Sequence, residues 1–166
     1  MTNNDLRCID RFIHDRNEIS PNLKVGVLSP IPDEYNYYSN FFKDISVITK
    51  NEWDLNYSSD YNFDIIIASN VFHYSNNPQK WIDNIMNSCN LFLIQDLMKR
   101  QRDRSSEFGD DGDSVRYSFD KHVYFNNAFN LSKIKYKIIN SYIYNGDVNE
   151  YDPTPKHFVC LMTHDT

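Results

Sequence analysis

Phe63-Asp64-Ile65-Ile66-Ile67-Ala68, running on into Ser69-Asn70-Val71-Phe72-His73-Tyr74, is the stretch from which the fold of this 166-residue chain is read. Three consecutive isoleucines favour extended backbone, because branching at Cβ stiffens χ1 and packs well on a pleated surface. Positions 65–68 are apolar without alternation, which predicts a strand buried on both faces, as in a parallel sheet. A parallel strand needs a helical crossover to reach its neighbour, so the flanking sequence should alternate helix and strand.

It does. Downstream, Asn77 and Pro78 suit the N-cap and first position of a helix. Trp81, Ile82, Ile85, Met86 and Cys89 give that helix its apolar face, and Asn90 is a plausible stop. Leu91-Phe92-Leu93-Ile94 then reads as a second buried strand, ending at Gln95-Asp96. Upstream, Leu23–Leu28 is a strand, and Ile45–Thr49 is another. Between them Tyr35, Tyr38, Phe41 and Phe42 recur at helical spacing and predict a helix over 33–43 with an aromatic core face. Leu6, Ile9, Phe12 and Ile13 predict a first helix over 5–17, ahead of Pro21. Residues 51–62 have room only for a short edge strand, marked by the alternation of Trp53, Leu55 and Tyr57. A helix is expected over 119–129. Strands at 137–144 and 157–163, joined by a link without helical pattern, should form a long-looped antiparallel hairpin. The expected fold is α/β: a Rossmann-like three-layer sandwich with a mostly parallel sheet that ends in an antiparallel hairpin, all in one domain over 1–166.

Bulk properties narrow the function. Hydrophobic residues make up 40% of the chain and aromatics 15%, values of a globular domain. The net charge of −6 and pI near 5.2 argue against nucleic acid as the main partner. Cys8, Cys89 and Cys160 are widely spaced, form no metal or redox motif and suit a reducing compartment. The first five residues lack the features of a signal peptide, and no apolar run reaches a membrane span, so a soluble cytoplasmic protein is expected. The aromatic surplus hints at a homo-oligomer interface.

The run 63–74, with Asn77-Pro78 and Trp81 after it and Phe158–Thr163 at the end, resembles class I S-adenosylmethionine-dependent methyltransferases over residues 20–166. The resemblance implies the methyltransferase-type strand order, S-adenosylmethionine as cofactor and a small-molecule acceptor. One departure stands out. No glycine lies between Gly26 and Gly109, so the family's glycine-rich turn is replaced by Ser29-Pro30-Ile31-Pro32. Proline has no N–H, so that turn has two fewer donors. A second departure is the acid that ends the second strand in the family. Here the nearest carboxylate is Glu52, and Asp54 loosely matches an acid near the adenine.

In an open α/β sheet a ligand sits at the carboxyl ends of the strands. That edge should collect Ser29, Asn51, Glu52, Asn70, His73 and Asp96. Histidine as a residue type titrates near neutrality, so His73 is the candidate general base, against a bland role as a turn cap. Asp96 is the second catalytic candidate, orienting substrate or holding His73; its bland reading is a solvated aspartate at a loop start. Ser29, Glu52, Asp54 and Asn70 are the candidate cofactor contacts. Arg100, Arg102 and Arg104 have forked guanidinium groups suited to a phosphate or carboxylate, and Asp113 and Arg116 follow in a tight turn at Gly112. These five are the substrate-side candidates, although a charge run is more often a solvated face. No metal site is expected. Two further readings stay open: a non-methylating binding or assembly module on the same fold, and another Rossmann-type nucleotide enzyme.

Overall fold

The computed structural model describes residues 3–49, 52, 62–71, 78–98, 136–145 and 156–164. In chain order these form α1 (Asn3–His14), β1 (Lys24–Leu28), α2 (Pro32–Phe41), β2 (Asp44–Ile48), β3 (Phe63–Ser69), α3 (Pro78–Met86), β4 (Cys89–Met98), β5 (Tyr136–Asn145) and β6 (Lys156–His164). The sheet order is β2-β1-β3-β4-β6-β5. The first four strands run parallel, while β6 runs antiparallel to both β4 and β5. The expected α/β layout with its closing hairpin is what the backbone adopts. The proposed edge strand at 53–57 and helix at 119–129 lie outside the described residues.

Two apolar clusters sandwich the sheet. On one face Val25, Val27, Ile65, Ile67, Leu93, Val159 and Leu161 meet Ile9, Phe12 and Ile13 of α1, Tyr38 of α2 and Phe42 just past its end. On the other, Leu28, Ile66, Ala68, Phe92, Ile94, Phe158 and Cys160 meet Trp81, Ile85 and Met86 of α3. The alternation follows from the two-residue period of a strand, and it explains why Ile65–Ala68 is apolar throughout. Gly26 sits where no side chain fits: an added Cβ would lie 3.0 Å from Ile48 Cδ1 and 3.0 Å from two Phe63 ring carbons. Asp64 ties the strand starts together, its carboxylate accepting the Lys24 N–H at 2.7 Å.

Three expectations need correction. Cys89 does not extend the α3 face; the helix stops at Met86 and Cys89 opens β4. Its thiol still reaches back, donating to the Ile85 carbonyl at 3.3 Å, which is why the helical spacing looked continuous. Tyr35 does not join the aromatic core of α2 but is 39% exposed. And β4 does not end at Asp96; it runs to Met98, paired with β6 from Leu91 onward. Among the described residues no helix is long and apolar enough to cross a membrane.

Candidate functional site at the carboxyl rim

The strand order reverses between β1 and β3: from β1 the chain steps one way to β2 and then the other way to β3. Such a switch point opens a crevice at the carboxyl ends of the strands. Register places Leu28 opposite both Ile48 and Ala68, so Thr49, Ser29 and Ser69 follow side by side along the rim. Ser69 in turn is opposite Gln95.

Both turns at the switch point are left-handed. Ser29 has φ 43° and Asn70 has φ 57°. L-residues other than glycine visit this region sparingly, with Asn better tolerated than most. Backbone hydrogen bonds hold both: Ser29 N–H donates to the Ile48 carbonyl at 2.9 Å and Asn70 N–H to the Gln95 carbonyl at 2.8 Å. The turn after β1 thus keeps the conformation a glycine would take, without the glycine. Ile31, the N-cap residue of α2, is 40% exposed. Thr49 donates its hydroxyl to Glu52 Oε1 at 3.0 Å, keeping that carboxylate at the end of β2.

Below the rim the sheet carries polar side chains in an otherwise apolar layer. Ser69, Gln95 and His157 are buried on the α1/α2 face, since they alternate with that face's core residues. Gln95 Nε2 lies 3.0 Å from His157 Nδ1, and the His157 ring stacks on Tyr144 with centroids 5.3 Å apart. From α2, Glu34 and Tyr38 are also buried. Burial pushes the Tyr38 phenol well above its usual range; the Glu34 charge adds to this and the nearby Ser69 hydroxyl works against it. Yet neither the Tyr38 nor the Ser69 hydroxyl has a hydrogen-bond partner of good geometry among the described residues.

Of the sequence candidates, Ser29, Glu52, Asn70 and Asp96 fall within the described residues. Ser29 and Asn70 flank the switch point, and Glu52 is hydrogen-bonded to Thr49 beyond the end of β2. Asp96 is fully buried rather than solvated, within β4 and opposite Phe158, on the α3 face of the sheet. His73, Asn51, Asp54, Arg100, Arg102, Arg104, Asp113 and Arg116 lie outside the described residues. Sequence reasoning passed over Glu34, Gln95 and His157 as polar groups of this layer, and read Tyr38 only as part of the aromatic core face. One signal was available: Glu34 precedes Tyr38 by one helical turn, on the face assigned to the core. A second, polar recess of about 480 Å³, lined by Asn62, Asn87, Cys89, Asn90, Thr163 and His164, lies at the opposite edge, by the amino ends of β3 and β4.

No protein-family model matches the chain, and no curated protein matches it. Solved structures do. A candidate methyltransferase from Bacillus halodurans superposes with a TM-score of 0.63 at 8% identity, covering 98% of this chain and 100% of that one. Coclaurine N-methyltransferase bound to N-methylheliamine and S-adenosylhomocysteine gives 0.61 at 8% identity, covering 96% and 70%. The cyclase SpnF gives 0.57 at 9% identity, covering 96% and 80%. The chain therefore has the fold of class I S-adenosylmethionine-dependent methyltransferases.

Proposed function

We propose that the protein binds S-adenosylmethionine across the carboxyl ends of β1, β2 and β3 and methylates a small polar or sugar-like acceptor. The observation that carries this is the left-handed Ser29 at the end of β1. A strained non-glycine turn is retained where the fold needs backbone close to a ligand, and such strain concentrates at functional sites. When bound, the cofactor supplies an electrophilic methyl group. The chain's task is then positioning and proton removal. Ser29 and Asn70 form the backbone cradle. Glu52, steadied by Thr49, accepts hydrogen bonds from the ribose hydroxyls, and Asp54 stands near the adenine. His73 takes the acceptor's proton, with Asp96 orienting it or the substrate. Arg100, Arg102, Arg104, Asp113 and Arg116 line the substrate side. Residues 1–166 act as one unit in a reducing cytoplasm, in keeping with three free cysteines.

The turn also favours a second reading, a non-methylating binding module. The Ser29 N–H is already committed to Ile48, and Pro30 and Pro32 have none to give. Variants separate the two. If the protein methylates, His73→Ala and Asp96→Asn lower turnover far more than cofactor affinity, while Glu52→Gln weakens affinity by roughly tenfold, the worth of a charge-assisted hydrogen bond. Cofactor binding with no methyl transfer to any sugar, alcohol or amine acceptor would leave the module.

A further inference from the structure

The two edges of the sheet differ. β2 closes one side with five residues, Asp44–Ile48, led by a carboxylate. β5 closes the other with ten, Tyr136–Asn145, about 33 Å of extended backbone. Among the described residues only β6 pairs with β5, so the outer side of β5 presents a row of backbone N–H and C=O groups. Such a row readily templates another strand, and proteins guard against this with short edge strands, charges and proline. β5 has few of these guards. Lys137 is its one charge, near its amino end, and 138–145 hold neither charge nor proline in a chain that is 24% charged. Ile138 is 48% exposed. A bulge at Ile139 bends the strand, yet beyond it 140–145 keep unbroken register with β6.

The chemistry of this edge selects its partner. Only an extended strand can answer N–H and C=O groups at their two-residue repeat. At the middle of β5, Asn140 is half-buried and Ser141 exposed. An amide and a hydroxyl each donate and accept hydrogen bonds, so each is complementary to its own copy. A strand of charged sequence would find no counter-charge along 138–145. Antiparallel self-pairing also keeps the two Lys137 ammonium groups at opposite ends of the ladder. Twofold symmetry closes the contact, because one edge serves both copies.

We propose that β5 is a dimerisation edge. It pairs antiparallel with β5 of a second copy about a twofold axis normal to the sheet, and the two six-stranded sheets become one. The contact is one strand wide, so the dimer is reversible rather than obligate.

Sedimentation equilibrium of the full chain tests this over roughly 1–200 μM, the range in which weak complexes assemble. The wild-type mass should rise from 19.7 kDa towards twice that value. Backbone amide exchange across 138–145 should slow over the same range. Ser141 is exposed, so its replacement leaves the core intact. Ser141→Lys and Ser141→Glu should each weaken association at least tenfold, because like charges meet near the axis. Their melting temperatures, measured on dilute protein, should match the wild type. An equimolar mixture of the two variants should regain wild-type association, since opposite charges then face each other. A mass of 19.7 kDa at every wild-type concentration overturns the proposal. So does a dimer that survives both substitutions, or a rising mass with unchanged exchange in β5. A mixture that stays monomeric while the wild type dimerises overturns it as well.

Discussion

Ser29 and Asn70 directly follow two adjacent parallel strands, β1 and β3, in the same left-handed backbone region, at φ 43° and 57°. The chain thus holds glycine-like geometry on both sides of the switch point with side-chain-bearing residues. The cost of this should be measurable at Ser29. Glycine adopts the conformation freely, whereas a β-branched residue there is a true outlier. Ser29→Gly is expected to leave stability unchanged or slightly raised, and Ser29→Val to lower it by about 1–3 kcal/mol. Urea unfolding of the two variants checks this. Equal midpoints would show that the turn does not impose a positive φ.

Gly26 is a packing constraint of a different kind. A methyl group there meets the Ile48 tip and the Phe63 ring at 3.0 Å each. Ile48 can yield, but Phe63 is 4% exposed and its ring has little room to move. Gly26→Ala should destabilise by about 1–3 kcal/mol, as overpacking does. Combining it with Phe63→Leu should recover part of the loss, a non-additivity that a double-mutant cycle would reveal.

Thiol chemistry should distinguish the cysteines. Cys89 and Cys160 are buried, and burial pushes both thiols up to about 12. The thiolate is the reactive form, so both should be inert near pH 8. Cys8 is only partly buried. A thiol-reactive dye should therefore label one group quickly in native protein and all three after unfolding. Fast labelling of Cys160 would contradict the packing of β6 in the sheet interior.

Alkaline pH should loosen the α1–α2 contact. Tyr37 donates its hydroxyl to Asp10 Oδ1 at 2.5 Å, and burial, aided by Asp10, raises its phenol above the usual 10.0. A raised folded-state value means that the native protein holds the proton more tightly than the unfolded chain does. The stabilisation is complete below about pH 10 and is lost as the pH rises beyond it. Melting temperatures from pH 8 to 11 should fall less steeply for Tyr37→Phe than for wild type. Parallel slopes would remove Tyr37 as a contributor.

The sheet was largely legible in the sequence because its signals are local. Ile65–Ala68 announces a doubly buried strand, and Pro78 marks a helix start. The errors arose where tertiary pairing overrides local pattern. Pairing with β6 carries β4 on to Met98, although its apolar run ends at Ile94. Cys89 keeps helical spacing while belonging to the strand. Ser29, Glu52 and Asn70 could be placed at the carboxyl rim from the sequence because the fold dictates where strands end. Glu34, Gln95 and His157 were not found, since burial on one sheet face depends on residues far apart in the chain. Nothing in a single sequence aligns Ser69 with Gln95, or brings Gln95 to His157, 62 residues away.

The most direct measurement is the thermal stability of the wild-type protein with and without S-adenosylhomocysteine. Ligand at about 100 times its dissociation constant should stabilise the native state by roughly 2.7 kcal/mol, several degrees for a domain of this size. A saturable rise of that order, reduced in Glu52→Gln, is the expected result. An unchanged melting temperature at millimolar ligand would contradict a cofactor site at the β1–β3 switch point.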